Sequence, residues 1–170
     1  MVYFFFGYPG IGKDFCAKRL SQLLSCLNID ADTYLTDPER QKLKNGTFTS
    51  EDRINKLRRI CDDLSSKLEN NNDITIGDSL PNQAAREYIA NYFGDKVVMI
   101  LILSESKLHN KRITNRKNHF FTKDILKDYI KNNWEPVTID CLKLNNDSDN
   151  IQELDKGLLE IINLSKHEKG

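Results

Sequence analysis

The chain has 170 residues, enough for one domain with a substantial core and short for two. Lys plus Arg and Asp plus Glu both total 25, a balance that argues against nucleic acid or an anionic membrane as partner. Four cysteines without metal-type spacing indicate reduced thiols, and no apolar stretch is long enough to span a bilayer. We therefore expect a cytoplasmic chain with a single domain over residues 1–170.

The chain starts with an apolar run and a glycine-rich loop. Val2–Phe6 is typical of a buried parallel strand, and apolar residues at helical spacing predict a helix from Lys13. Between them, residues 7–14 read GYPGIGKD, the phosphate-loop pattern with Asp14 in place of Ser or Thr. Backbone N–H groups in such a strand, turn and helix surround phosphate oxygens, so we expect a nucleotide triphosphate. A tight turn with an incidental lysine is the alternative.

Asp14 leaves two outcomes open for this loop. A carboxylate is a good ligand for Mg²⁺, and the start of a helix favours negative charge. The carboxylate would also lie beside the phosphates of the nucleotide. At a separation of about 4 Å and an effective dielectric of about 20, the repulsion between two such charges is on the order of 4 kcal/mol unless a metal screens it. The loop therefore forms either a working site whose activity depends more strongly on a metal, or a site that binds nucleotide with poor turnover.

Strands and helices alternate along the rest of the chain, which predicts a parallel sheet flanked by helices. A second strand is expected to end at the pair Asp30 and Asp32, and a cap at residues 49–52 to open a helix that reaches Leu68. Further strands are expected at 74–76, 97–103 and 139–144, with helices before Gly94, around Leu126 and over 151–161.

Asp30 and Asp32 are the candidate chemical groups at a strand end, the edge where ligands of open α/β sheets bind. Side chains two apart on a strand point the same way. One carboxylate is expected to anchor a metal and the other to orient or deprotonate an acceptor hydroxyl. A pair of solvated turn acids is the alternative.

Several basic residues are candidates for contact with anions. Arg112 and Arg116 lie four apart on one helix face and would stabilise a transferring γ-phosphate, unless they form a solvated basic face. Arg53 and Arg86 would meet an anionic substrate or pair with neighbouring glutamates. His119, beside two phenylalanines, is either packed or catalytic.

These motifs resemble those of small-molecule P-loop kinases, above all gluconate kinases, with shikimate and adenylyl-sulfate kinases as relatives. Asp30-Ala31-Asp32 is similar to the family's Asp-Gly-Asp, and Gly46 through Phe48 to Arg53 is similar to its Gly … Asp-Asp-Arg block. Residues 112–121, RITNRKNHFF, resemble the gluconate kinase lid, and Glu135-Pro136 follows at the family's spacing. The similarity extends from Val2 to about Ile162.

The resemblance implies a three-layer α/β P-loop NTPase fold like that of nucleoside-monophosphate kinases, with a five-stranded parallel sheet and a small lid at about 110–124. It implies ATP and Mg²⁺ as cofactors, a monomer or homodimer, and γ-phosphate transfer to a hydroxyl of a small anionic metabolite. The implied catalytic residues are Lys13, Asp30, Arg112 and Arg116, with Asp14 and Asp30 on the metal. The nucleotide would contact Gly7, Tyr8, Pro9, Gly10, Ile11, Gly12, Lys13, Asp14, Phe15 and Arg112. The acceptor would contact Asp32, Phe48, Arg53, Arg86 and His119.

Some residues depart from the gluconate kinase pattern. Leu35 stands where gluconate kinases carry His and adenylyl-sulfate kinases carry Arg, and residues 77–81, GDSLP, replace Cys-Ser-Ala-Leu-Lys. Residues 49–53 with Arg58-Arg59 also resemble the adenylyl-sulfate kinase stretch. The acceptor is therefore a sugar acid or a nucleotide 3′-hydroxyl, and a nucleotide-binding protein with weak catalysis is the third alternative.

Overall fold

The structure is a computed structural model that describes residues 1–105, 108, 111, 123–147 and 150–167. One sheet contains the strands β1 (Val2–Phe6), β2 (Leu27–Asp30), β3 (Ile74–Gly77), β4 (Val97–Leu103) and β5 (Leu142–Asn145). The helices with described bounds are α1 (Lys13–Leu24), α2 (Asp37–Lys44), α3 (Ser50–Leu68), α4 (Gln83–Phe93), α5 (Lys123–Asn133) and α6 (Ile151–His167).

The five strands are parallel and lie in the order β2-β3-β1-β4-β5. Parallel neighbours need crossover connections, and helices supply them on both faces of the sheet. β1 lies at the centre, with Phe5 opposite Gly77 of β3 and Ile100 of β4. The expected five-stranded parallel α/β fold is confirmed. Its carboxyl edge gathers the ends of β1, β2 and β3.

The alternation of β1 divides the core into two. Val2, Phe4 and Phe6 pack with apolar residues of α3 and α4 on one face. Tyr3 and Phe5 pack with those of α1 and α6 on the other. All five residues of β1 are buried, as expected for a strand covered on both sides by helices.

The sequence expectations differ from the structure at three places. β2 ends at Asp30, and Ala31–Tyr34 forms a 3₁₀ turn instead of extending the strand to Asp32. α2 was not expected, because its mostly polar sequence has no apolar stripe to indicate a helix. Its start is instead stabilised by a capping box of Thr36 and Glu39. β5 starts at Leu142, three residues beyond the expected Ile139.

The lid expected at about 110–124 lies mostly outside the described residues, and so do Arg112, Arg116 and His119. Within the described ranges, no helix combines the length and the apolar character needed to cross a bilayer. All four cysteines are free thiols, and Cys16 and Cys61 are buried in the core.

Candidate active site

The loop between β1 and α1 has the backbone that its glycines allow. Gly10 has φ of 79° and Gly12 has φ of 100°, in the left-handed region where a Cβ is unfavourable. Gly12 immediately precedes α1, and its carbonyl accepts the N–H of Cys16 at 2.9 Å. No side chain caps this helix start, which suits its positive end for phosphate oxygens.

Lys13 is folded into the loop. Its Nζ donates to the carbonyl oxygen of Tyr8 at 3.1 Å, and the residue is only 6% exposed. The ammonium therefore lies within the loop that it is expected to serve. The ammonium has three N–H donors, so the Tyr8 carbonyl takes only part of its hydrogen-bonding capacity.

Asp14 lies against the end of β3. A Cβ on Gly77 would be 2.8 Å from Asp14 Oδ1, so Gly77 provides the space that this carboxylate occupies. The pKa of Asp14 is raised above its ordinary value, mainly because burial disfavours the charged carboxylate. Lys13 opposes the shift, while Asp32, Asp78 and Asp30 add to it. A cation at this position would relieve the accumulated negative charge.

Asp30 and Asp32 lie together, but not in the way that a strand would place them. Asp30 is the last residue of β2, and its Oδ1 accepts the N–H of Asp32 at 2.9 Å, which caps the 3₁₀ turn. The expectation that both carboxylates project from a strand is wrong, because this Asx-type bond ends the strand. The side chain of Asp32 is 77% exposed and is accessible to a ligand in solution.

A buried ion pair lies behind Asp32. Lys56 of α3 is 4% exposed, and its Nζ is 3.0 Å from Asp78 Oδ2 and 3.8 Å from Asp32 Oδ1. Asp78 follows β3 directly, and its other oxygen accepts the N–H of Ser79 at 2.8 Å. Lys56 thus places one positive charge against two carboxylates at the sheet edge. Sequence reasoning did not identify Lys56, and it noted Asp78 only within residues 77–81, where the chain departs from the gluconate kinase pattern.

Arg53 joins three segments beside the acidic residues. Its guanidinium lies 5.3 Å from the ring centroid of Phe48, which is cation–π distance. It donates to the carbonyl of Ser79 at 3.0 Å and to the hydroxyl of Tyr129 on α5 at 3.3 Å. These contacts take the place of the alternative ion pair between Arg53 and Glu51. Arg53 and Phe48 remain together as candidates for the acceptor side.

Arg86 is a structural residue, and its expected contact with an anionic substrate is wrong. The side chain is fully buried, between the rings of Trp134 and Phe6. Burial is also the main reason that its pKa is lowered. Every N–H of the guanidinium has an acceptor, so none is left for a ligand. The acceptors are the carbonyls of Leu80, Pro81, Glu135 and Pro136 and the side chain of Gln83.

The described part of the site therefore has two sides. The phosphate loop with Lys13 forms the first, and the acids at the ends of β2 and β3, with Lys56 and Arg53, form the second. Both lie at the carboxyl edge of the sheet, where open α/β sheets bind ligands. Such an arrangement can hold a polyphosphate next to a hydroxylated molecule. These features define a P-loop protein of the small-molecule kinase type.

Comparison with known sequences identifies the family. The sequence profile described as adenylylsulphate kinase matches residues 1–125, and the chain belongs to this family. A probable gluconokinase of Dictyostelium discoideum is 28% identical over 128 residues, which cover 71% of this chain and 63% of the relative. The chain thus spans less than two thirds of that relative. A gluconokinase of Arabidopsis thaliana is 26% identical over 133 residues, which cover 71% of this chain and 70% of that relative.

Solved structures share the fold. A gluconokinase from Sinorhizobium meliloti 1021 superposes with a TM-score of 0.81 at 15% identity, over 99% of this chain and 95% of that one. An APS kinase from Mycobacterium tuberculosis in complex with AMPPNP and APS gives a TM-score of 0.66 at 16% identity, over 97% and 96%. At such identities the likeness establishes the three-layer P-loop fold.

Proposed function

We propose that this protein is an ATP-dependent kinase that transfers the γ-phosphate to a hydroxyl of a small anionic metabolite, with a sugar acid as the first candidate. One observation carries the proposal: the loop holding Lys13 and the exposed carboxylate of Asp32 lie at the same edge of the sheet. A donor site and an acceptor site are thereby adjacent, as phosphoryl transfer requires.

The described residues divide the work of this reaction. Lys13 binds the terminal phosphates, and the start of α1 receives phosphate oxygens beside it. Asp32 accepts a hydrogen bond from the acceptor hydroxyl and orients it for attack. Arg53, held above Phe48, pairs with the anionic group of the acceptor. Arg112 and Arg116 are proposed to add positive charge around the γ-phosphate, and His119 to contact the acceptor.

The proposed metal is Mg²⁺, held by one or two carboxylates together with nucleotide phosphates, since the described residues contain no group of three or more acidic, histidine or cysteine side chains that could hold a metal ion. Asp14 and Asp30 would hold the ion, because hard carboxylate oxygens are its preferred protein ligands. Burial is the main cause of the raised pKa of Asp14, and the nearby Asp32, Asp78 and Asp30 add negative charge that a cation would offset. When bound, Mg²⁺ would neutralise charge on the phosphates of the nucleotide. In this reading Asp14 substitutes for the usual hydroxyl ligand.

Replacing Asp14 with serine tests this reading. We expect Asp14→Ser to preserve or raise affinity for Mg²⁺–ATP, because the hydroxyl still binds the ion while the repulsion from the phosphates disappears. Isothermal titration calorimetry with ATP at several Mg²⁺ concentrations measures the change. A variant that still binds Mg²⁺–ATP and loses all turnover would make Asp14 a specialised ligand that no hydroxyl replaces.

A second candidate acceptor is a nucleotide 3′-hydroxyl. The family profile favours it, since that profile is described as adenylylsulphate kinase. The names of the sequence relatives favour a sugar acid instead. A nucleotide-binding protein with weak catalysis is the third candidate, motivated by Asp14. We further propose one P-loop kinase domain over residues 1–170, acting in the cytoplasm as a monomer or homodimer.

An ADP-release assay decides among these candidates. The protein is incubated with ATP and Mg²⁺ or Mn²⁺, and with sugar acids, shikimate or adenylyl sulfate as acceptors. We expect one acceptor class to give turnover that Lys13→Met removes, while Lys18→Met, an exposed change on the same helix, leaves it within about twofold. If ATP binds and no acceptor gives Lys13-dependent turnover, the kinase proposal fails.

A further inference from the structure

Asn146 connects the far side of the sheet to the phosphate loop. It follows β5 directly and is only 4% exposed. Its backbone N–H donates to the carbonyl of Leu103, the last residue of β4, at 2.8 Å. This backbone bond to β4, together with the adjoining β5, fixes the position of Asn146 independently of its side-chain contacts.

The carboxamide of Asn146 contacts the loop at two adjacent residues. Nδ2 donates a buried hydrogen bond of 3.0 Å to the carbonyl oxygen of Ile11. A Cβ on Gly12 would lie only 2.6 Å from the same Nδ2. Gly12 is thus a glycine for two reasons, its positive φ of 100° and the close approach of Asn146.

These contacts fix the orientation of one peptide plane. No peptide bond among the described residues is cis, so the N–H of Gly12 points opposite to the carbonyl of Ile11. Because Asn146 holds that carbonyl, it directs the N–H of Gly12 away from itself. In a phosphate loop, backbone N–H groups turned to the concave side are the phosphate donors.

We propose that Asn146 is a positioning residue for nucleotide binding: it holds the Ile11–Gly12 peptide so that the loop presents its N–H groups to the phosphates. The inference rests on the proposed function for the identity of the ligand. It adds Asn146, from the connection between β5 and α6, to a phosphate site that the sequence places in the loop at residues 7–14.

The sharpest test is Asn146→Asp. This change keeps the size of the side chain but replaces the donor with an acceptor that faces the Ile11 carbonyl. Asn71→Asp is the matched control, since Asn71 Nδ2 donates to a main-chain carbonyl, that of Lys67, at 2.8 Å beyond the end of α3. Both variants make the same chemical change, and only one makes it at the loop.

Two measurements are made on wild type and both variants. The first is amide hydrogen exchange without nucleotide, at the N–H of Ile11, bonded to Tyr8, and of Cys16, bonded to Gly12. Amides of the buried α3 residues Leu57 and Ile60 report opening of the whole domain. The second is the Kd for ATP with Mg²⁺, determined by calorimetry.

We expect Asn146→Asp to speed exchange at Ile11 and Cys16 and to weaken ATP binding, each by about tenfold or more, with α3 exchange unchanged. Asn71→Asp should change none of these by more than about twofold. Equal acceleration in the loop and α3, or an ATP Kd within about twofold of wild type, would overturn the proposal. If Asn146→Asp fails to fold, Asn146→Ser is judged by the same criteria. If wild type binds no ATP, the proposed function fails, while loop exchange still decides the role of Asn146.

Discussion

At the residue scale, the site depends on charges of opposite sign in a partly buried setting. Asp14, Asp30, Asp32 and Asp78 lie near one another. Burial is the main cause of the raised pKa of Asp14, and each of the other three acids adds to it. Lys56 offsets part of this charge from inside the protein, through Asp78 and Asp32. An acidic edge beside a polyphosphate is tolerable only with such fixed positive charge or with a bound cation.

We predict that Lys56→Met lowers the free energy of unfolding by about 3–5 kcal/mol, because it leaves the buried Asp78 without its partner. Lys67→Met is the control on the same helix, since Lys67 forms a half-exposed pair with Asp63 at 2.7 Å. Its loss should stay below about 1 kcal/mol. Urea unfolding at neutral pH measures both. Equal losses would mean that the Lys56–Asp78 pair adds nothing beyond a surface pair.

At the element scale, α3 carries Arg53 and Lys56 of the proposed acceptor side, and its start is set by a capping box. Thr49 Oγ1 accepts the N–H of Asp52, and Asp52 Oδ2 accepts the N–H of Thr49. Asp52 also accepts a hydrogen bond from Lys42 of α2. The cap therefore fixes the first turn of the helix, from which Arg53 and then Lys56 project.

We predict a pH dependence from this cap. The pKa of Asp52 is lowered from 3.8 to about 2, first by the hydrogen bond from Lys42 and then by those from Thr49. Because the unfolded chain takes up the proton at higher pH than the folded protein, the stabilisation is complete above 3.8 and is lost as pH falls toward 2. The stability difference between wild type and Asp52→Asn should therefore be largest at neutral pH and shrink toward pH 2. A difference that stays constant over this range would contradict the assignment.

Helix α5 provides an optical signal for the donor side. Trp134, the only tryptophan of the chain, lies at its end with its ring centroid 4.5 Å from that of Tyr8 in the phosphate loop. In the proposed site, ATP binds at Lys13, which donates to the carbonyl of Tyr8, so we predict a change in Trp134 emission on addition of ATP. Lys13→Met should suppress the change, and Trp134→Phe should remove the emission itself. Binding detected by calorimetry without any change in emission would contradict the predicted coupling.

At the scale of the whole molecule, the parallel sheet brings distant segments to one edge, and Arg86 secures them. Its guanidinium bonds the loop after β3 to residues 135 and 136, which follow α5. Glu135 adds a backbone bond to Pro81 and a side-chain bond to the N–H of Gln83. The Glu135-Pro136 pair thus has a structural role here. It holds α5, with Tyr129 and Trp134, against both sides of the site.

Much of this architecture could be predicted from the sequence because its signals are local. The apolar runs at Val2–Phe6 and Val97–Leu103 gave both strands with their bounds, and the cap at Thr49 gave the start of α3. α2 was missed because its helix is stabilised by a cap and not by an apolar face.

The site was less predictable because its remaining residues act through distant partners. Lys56 has the appearance of an ordinary polar position on an amphipathic helix, and its partner Asp78 is 22 residues away. Asn146 reaches Ile11 across 135 residues. Arg86 was assigned to the substrate because a sequence does not distinguish a buried arginine from an exposed one. The one available signal was Asp78 itself, an acid two residues beyond the predicted strand at 74–76.

The central claim is that the phosphate loop and the acidic edge form one phosphoryl-transfer site. Transfer of label from [γ-³²P]ATP to an acceptor, either gluconate or adenylyl sulfate, tests it most directly. We predict Lys13- and Asp32-dependent labelling of one acceptor class, with Lys13→Met and Asp32→Asn each slowing transfer by about 100-fold or more. Two results would contradict the account. One is labelling that persists in both variants, and the other is a wild-type protein that binds ATP but labels neither gluconate nor adenylyl sulfate.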